Sequence, residues 1–278
     1  MLSIAGSDSG GGAGIQADLK AFARCGVHGM TAITAITAQN TVAVTGVWAV
    51  APEAIVAQVR AVADDIGVDA VKIGMLGSAE TIAAVDEALD LIGDAPVVLD
   101  PVMVAESGAS LLDPDAQVAL RERLLPRAVV VTPNLHEAAA LVGWDDGAGD
   151  DIEALARAVL ALGPRAVVVT GGHREEATDV FCDGDRLVEI PGERHPGGAS
   201  HGSGCTHSSA LAAHLALGFE PVEAARRAKQ VASDAVRQGL TGVGRGAGPV
   251  DVFGLASGSP AVERADEGSS AGAASGLT

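Results

Sequence analysis

Near the C-terminal end of this chain, His201-Gly202-Ser203-Gly204-Cys205-Thr206 runs straight into an apolar helical stretch, Ser208 to Gly218. Two glycines let the backbone turn tightly and present consecutive N–H groups, and a helix start adds its partial positive charge. The expected product is an anion cradle formed by Gly202, Ser203 and Gly204, with the Cys205 thiol set inside it. A helix N-terminus favours the thiolate, which suits a base or a nucleophile. The plainer alternative is a glycine-flanked helix start carrying a small buried cysteine.

A second glycine cluster, Gly6 to Gly14, follows a short apolar strand and opens a helix. Gly12-x-Gly14-x-x-Ala17 fits the looser dinucleotide fingerprint, but that fold needs an acidic residue about 20 residues further on. No Asp or Glu lies between Asp18 and Glu53. A P-loop is excluded too, because Lys20, Lys72 and Lys229 are followed by Ala, Ile and Gln rather than Ser or Thr. The cluster therefore points to close approach of a small substrate at the ends of strands.

The elements that must hold these turns alternate. Leu2–Ala5, Thr31–Ile36, Ala70–Ile73, Val97–Leu99, Ala128–Val131 and Ala166–Val169 are short apolar runs of the kind buried in parallel sheets. Helical patterns fall at about 14–24, 52–66, 79–92, 115–125, 135–142 and 152–162, with two long helices at about 206–217 and 221–238. This order predicts an α/β fold with a doubly wound, mostly parallel sheet. Thr178–Cys182 and Arg186–Ile190, joined by Asp183-Gly184-Asp185, predict an antiparallel hairpin at one edge. Residues 1–255 read as one domain, and 256–278, dominated by Ser, Gly and Ala, as a disordered tail.

Composition narrows the function classes. The net charge is −18, with three lysines against fifteen arginines, so the surface repels phosphate backbones and nucleic-acid binding is not expected. Cys25, Cys182 and Cys205 form neither a disulfide framework nor a zinc pattern, which fits a reducing cytoplasm. No basic segment precedes an apolar one in the manner of a secretory signal. The uncharged run Gly29–Pro52 carries five threonines with Gln39 and Asn40, too polar for a lipid-facing span, so no membrane association is expected. His207 and His214 read as packing or surface residues. Trp144–Asp151 lacks the ligand spacing of a calcium loop and reads as solvated.

Gly6-Ser-Asp-Ser-Gly-Gly-Gly-Ala-Gly-Ile-Gln-Ala-Asp18 resembles the N-terminal signature of hydroxymethylpyrimidine and phosphomethylpyrimidine kinases, in the ribokinase-like superfamily. Thr37-Ala-Gln-Asn-Thr41, Lys72-Ile-Gly-Met-Leu76, Asp100-Pro-Val-Met-Val-Ala105, Thr132-Pro-Asn134, the Cys205 hexapeptide and Gly248-Pro-Val250 match the family in order and spacing. The resemblance covers about residues 1–253. It implies a three-layer αβα fold and transfer of the ATP γ-phosphoryl group to the hydroxymethyl group of a thiamine-precursor pyrimidine, and to its monophosphate. A homodimer is expected.

On that resemblance Cys205 takes the hydroxyl proton where related sugar kinases carry an Asp, and the cradle amides hold the transferring phosphoryl group. Asn134 and Glu137 resemble the Asn-x-x-Glu motif that holds Mg²⁺, partly through water. The same spacing also makes a capping box. Asp100, ending an apolar strand where a carboxylate is costly unless paired, is the next metal or phosphate candidate. Gln39 offers a donor and an acceptor to an aminopyrimidine edge, and Met75 a soft contact to the ring. Asp8 either bonds the substrate hydroxyl or caps the helix. Two departures stand out: Thr170-Gly-Gly-His173 replaces the family's Lys-Gly-Gly-His, and His136 replaces a common proline. The alternatives are a pyridoxal or pyridoxine kinase, and a vitamin-precursor binding protein without turnover.

Overall fold

Short β-branched runs make the central strands, because residues buried on both faces of a sheet must be apolar throughout. The computed structural model describes residues 1–106, 108–109, 111–144, 151–172 and 177–255. Among these, nine strands form one sheet: β1 (Leu2–Asp8), β2 (Met30–Gln39), β3 (Val44–Ala49), β4 (Val71–Ile73), β5 (Val97–Leu99), β6 (Val130–Val131), β7 (Ala166–Val169), β8 (Asp179–Cys182) and β9 (Leu187–Ile190). Their order is β3-β2-β1-β4-β5-β6-β7-β8-β9. Within it β2, β1, β4, β5, β6 and β7 run parallel; β3 pairs antiparallel with β2 at one edge, and at the other β8 pairs antiparallel with β7 and β9 with β8.

Helices cover both faces. On one side α2 (Pro52–Asp65), α3 (Ala79–Leu89), α4 (Pro114–Ala119), α5 (Leu135–Val142) and α6 (Ile152–Leu160) bury residues such as Ile55, Val85 and Leu155 against Ile4, Ile73 and Leu99. On the other, α1 (Gly14–Arg24), α7 (Ser203–Ala216) and α8 (Pro221–Arg237) bury Phe22, Leu211 and Ala225 against Val98, Val130 and Val168. The three-layer, doubly wound arrangement matches the expectation. The strand order reverses beside β1, so the crevice such sheets leave at a switch point opens beyond the C-terminal ends of β1 and β4.

Three elements differ from the sequence reading. The strand β3 falls inside the run Gly29–Pro52 and was not anticipated. It pairs with β2 across a turn in which Asn40 Oδ1 accepts from Val42 N at 2.9 Å and Ala43 N at 3.0 Å. The expected helix 115–125 is instead α4 followed by a π turn, Leu120–Leu124, and a 3₁₀ turn, Leu125–Arg127. Pro126 has no N–H to continue the regular ladder. Finally, α7 begins at Ser203 rather than Thr206, which places Cys205 inside its first turn. The tail 256–278, His173 and most of the loop Trp144–Asp151 lie outside the described residues.

Candidate active site

The two glycine turns, distant in sequence, interlock. Gly202 has φ +86°, and a Cβ there would run into the Gly12 carbonyl; a Cβ on Gly12 would run into the His201 ring. Asp8, at the end of β1, fastens the pair. Its Oδ1 accepts from Gly10 N at 2.8 Å, and its Oδ2 from Gly12 N at 3.0 Å and Ala13 N at 2.8 Å, with His201 Nε2 at 3.1 Å. Burial pushes the Asp8 carboxyl up, but the His201 contact and these amides outweigh it and hold the group below its usual value. Asp8 braces the loop ahead of α1 and does not cap the helix, whose N-cap position is Ala13, without a side-chain cap. Gly248-Pro249-Val250 returns beside His201, which donates to Gly248 O at 3.2 Å and accepts from Val250 N at 3.0 Å.

The cradle itself is narrower than the hexapeptide suggested. Ser203 N–H is committed to Ser200 O at 3.0 Å. Among the described residues, the amides of Gly202, Gly204 and Cys205 have no protein acceptor, so they remain for an anion. A Cβ at Gly204 would meet nothing within 4 Å, so the residue is exposed on that side.

Behind the cradle lies a polar core that the sequence reading missed. Lys72, in the middle of β4, is fully buried, with Nζ 2.8 Å from Asp18 Oδ1 and 4.0 Å from Asp100 Oδ2. Asp18, on α1, also accepts from Ser3 Oγ at 2.6 Å and Ser209 Oγ at 2.8 Å. Burial alone would depress the Lys72 ammonium, but Asp18, Cys205 and Asp100 together raise its pKa above the ordinary lysine value. The signal was present: a charge inside Val71-Lys72-Ile73, a strand buried on both faces, demands a partner.

Cys205 sits half-buried above this core and corrects one expectation. Burial, followed by the charges of Asp18 and Asp100, pushes its thiol up to about 12, against the opposing pull of the Lys72 ammonium and the Gly14 N–H. The helix start does not make it a ready thiolate.

Asn134 and Glu137 form the capping box of α5: Glu137 N donates to Asn134 Oδ1 and Asn134 N to Glu137 Oε2, both at 2.9 Å. The pair is also a candidate ion site. Burial, then the charge of Asp100, pushes Glu137 up to about 8, and burial raises Asp100 as well, despite Lys72 and a 2.9 Å bond from Ser208 Oγ. A buried carboxyl and a half-buried one whose pKa it raises fit a bound cation. Among the described residues no group of three or more His, Cys, Asp or Glu could hold a metal. An ion here would draw its other ligands from water and phosphate, the habit of Mg²⁺.

One cavity of ≈580 Å³ gathers these groups. Gln39 and Met75 line its far end, at the ends of β2 and β4. Gln39 Oε1 accepts from Thr37 Oγ1 at 3.1 Å, and Met75 Sδ packs against Gly6, where a Cβ would stand 3.1 Å from the sulfur. The opposite wall carries residues that the sequence reading passed over. Asp179, at the start of β8, accepts from Gly171 N at 2.9 Å and Lys229 Nζ at 2.6 Å. His207 is buried and lines the cavity, not the surface, with Nε2 3.4 Å from Asp179 Oδ2 but outside hydrogen-bond geometry. Burial raises the Asp179 carboxyl, but His207 and Lys229 outweigh it, and its pKa stays below normal. His214 stays bland as expected, its Nδ1 2.7 Å from Ala210 O and its ring edge-on to Phe219.

A family model described as phosphomethylpyrimidine kinase matches residues 8–251. A hydroxymethylpyrimidine/phosphomethylpyrimidine kinase of Rhizobium meliloti is 53% identical over 91% of this chain and 96% of its own length. Among solved structures, a Bacillus subtilis pyridoxal kinase in complex with ADP superposes with a TM-score of 0.83 at 40% identity, covering 92% of this chain and 97% of its own. A phosphomethylpyrimidine kinase of Clostridium difficile gives 0.74 at 42% identity, over 84% and 98%.

Proposed function

Because the chain belongs to the phosphomethylpyrimidine kinase family and is a phosphotransferase, we propose that it uses ATP to phosphorylate the hydroxymethyl group of an aminopyrimidine thiamine precursor, and then its monophosphate. The observation that carries this reading is one cavity with Gln39 and Met75 at one end and the unpaired amides of Gly204 and Cys205 at the α7 start.

Phosphoryl transfer asks the protein mainly for position and charge. Gln39 presents a donor and an acceptor to the pyrimidine edge, and Met75, packed close over Gly6, offers its soft side chain to the ring. The Gly202, Gly204 and Cys205 amides, at the positive end of α7, hold the phosphoryl oxygens as charge shifts among them. Glu137 and Asp100, with Asn134 through water, would hold Mg²⁺, which supplies charge neutralisation at the phosphates when bound. Cys205 in its thiolate form receives the hydroxyl proton and becomes the thiol. A thiol raised to about 12 is a poor base at rest, so most of the rate enhancement comes from the cradle. Lys72 stabilises whatever thiolate forms. We assign the protein to the cytoplasm, as a homodimer; among the described residues no helix is long and apolar enough to cross a membrane.

A second reading is favoured by one observation, the likeness to a pyridoxal kinase. Pyridoxal also carries a hydroxymethyl group. The test is a coupled ADP-release assay with hydroxymethylpyrimidine, its phosphate and pyridoxal side by side. The pyrimidine reading requires the highest kcat/KM for the first two, together with a selective rise in the pyrimidine KM for Gln39→Leu. An unpaired pyrimidine edge should cost about 1–3 kcal/mol. Faster turnover of pyridoxal overturns it, and no turnover of any of the three leaves a binding protein.

A further inference from the structure

The cavity is acidic. Asp8, Asp100, Glu106, Glu137, Asp179 and Glu193 line it, against Lys72, Arg194 and Lys229 as the only strong cations among the described residues. Beyond the amides of the cradle and a bound cation, a ligand with phosphate groups has only these three side chains to meet its charge. Lys72 is sealed at 0% exposure and tied to Asp18. Arg194 is an exposed residue on the connection that follows β9. Lys229 differs from both: its side chain is 13% exposed, and it enters the cavity wall from α8.

Its setting is built. The 2.6 Å bond to Asp179 Oδ1 uses one of three ammonium donors and leaves two. The stem crosses Gly192, where a Cβ would collide with Lys229 Cε, so the glycine is what lets the side chain reach the wall. Asp179 is itself anchored by Gly171 N, one residue after Thr170 at the end of β7. Thr170 in this strand-end turn is neutral, and the ammonium of Lys229 is brought to the carboxylate beside it. Both ring nitrogens of His207 are buried, line the cavity and have no hydrogen-bond partner among the described residues, so this wall also holds an imidazole N–H still to be satisfied by an acceptor.

We propose that Lys229, aimed by Asp179, is the phosphate-binding cation of the cavity. The inference rests on the kinase reading and adds a residue that the sequence motifs do not contain. The phosphate can come from the nucleotide or from the phosphorylated pyrimidine, and matched ligands separate the two. Dissociation constants would be measured by calorimetry for ADP and adenosine, and for hydroxymethylpyrimidine phosphate and hydroxymethylpyrimidine, in wild type, Lys229→Met and Lys229→Arg. The expected result is a loss of about 10–100-fold in Lys229→Met for the phosphorylated member of at least one pair, the span of a charge-assisted hydrogen bond. Its unphosphorylated partner should bind as before, and Lys229→Arg should keep most of the affinity. A shift confined to ADP assigns the nucleotide phosphate, and one confined to the pyrimidine phosphate assigns the substrate.

Equal shifts within both pairs, or none, overturn the proposal. A measurement on the wild type covers the case in which Lys229→Met fails to fold. Reductive methylation of Lys229, followed by peptide mass spectrometry, should be suppressed by ADP or by the pyrimidine phosphate and not by their unphosphorylated partners. Methylation that ignores all four ligands overturns the assignment. Failure of the kinase reading looks different, because a wild type that neither binds ADP nor releases it in the coupled assay fails before Lys229 is altered.

Discussion

Two lysine–aspartate pairs, one buried and one partly open, reach the same cavity from β4 and from β8. Lys72–Asp18 is closed, both side chains at 0% exposure, with Ser3 and Ser209 completing the carboxylate's bonds. Lys229–Asp179 is tighter at 2.6 Å yet open on one side, where the Lys229 side chain stays 13% exposed and two of its ammonium donors remain for an acceptor. A pair that satisfies itself can only set the field around it. A pair left incomplete can take a ligand. The difference assigns Lys72 to the electrostatics of Cys205 and Lys229 to an incoming anion.

The comparison breaks most visibly in stability. Lys72→Met leaves Asp18 buried without its cation, a loss of about 3–5 kcal/mol. That should lower Tm by about 6–20 °C in calorimetry. Lys72→Met combined with Asp18→Leu should regain most of it, since an apolar pair of similar volume is often neutral. Lys229→Met should cost only about 1–2 kcal/mol, because Asp179 keeps the Gly171 amide and His207 remains close. Equal losses in the two lysine variants would erase the distinction.

Catalysis gives the next effect. Cys205→Ala should cut kcat by about 10²-fold, the low end of general-base catalysis, with Tm unchanged. The thiol is raised to about 12 by burial, so its thiolate fraction grows throughout the assayable range. Wild-type kcat should climb with pH to the alkaline limit of the assay, and that of Cys205→Ala should stay flat. A wild-type plateau near neutrality would show that the proton goes elsewhere.

Glu137 supplies a pH effect of the opposite sign. Its pKa is raised to about 8 in the fold, so between about 4.5 and 8 the native state holds a proton that the unfolded state has released. This group's contribution to stability is complete below the lower value and is lost as pH rises toward the upper one. Glu137→Gln should flatten that part of the Tm–pH curve. Mg²⁺ dependence of turnover should tighten as pH passes 8 in the wild type only, since a ligand carboxylate must be ionised. Smallest of all is Thr170→Lys. Beside an existing Lys229 ammonium it should lower the ATP KM at most a few-fold, a gain of about 0.5 kcal/mol. In the Lys229→Met background the gain should be larger, and an equal gain in both would place the two cations in separate subsites.

The legible parts of the molecule were those whose evidence is local. The strand at Val97–Leu99 and the helix at Leu135–Val142 were read with their observed bounds, because β-branching and a capping box act over a few residues. Gln39, Met75, Asn134, Glu137 and Cys205 were named from contiguous motifs, and one cavity gathers them. What escaped depends on separation. Strand β3 hid in an uncharged run, where only the polar step Gln39-Asn40-Thr41 between two β-branched stretches hints at a hairpin. Lys229 lies 50 residues from Asp179, and nothing within α8 marks it as reaching a cavity. The Cys205 thiol was misjudged because a helix start is visible in sequence, whereas the buried Asp18 and Asp100 beneath it come from other parts of the chain.

The latch between Asp8 and His201 spans 193 residues. Long-range closures form late and slowly, since their entropy must be met before the contact rewards it. A nascent chain in which residue 202 has not yet emerged can order the early strands and still have no cradle, because Gly12 has no Gly202 to meet. Competence therefore waits for the segment that carries the second glycine turn. The fold carries its own completion check.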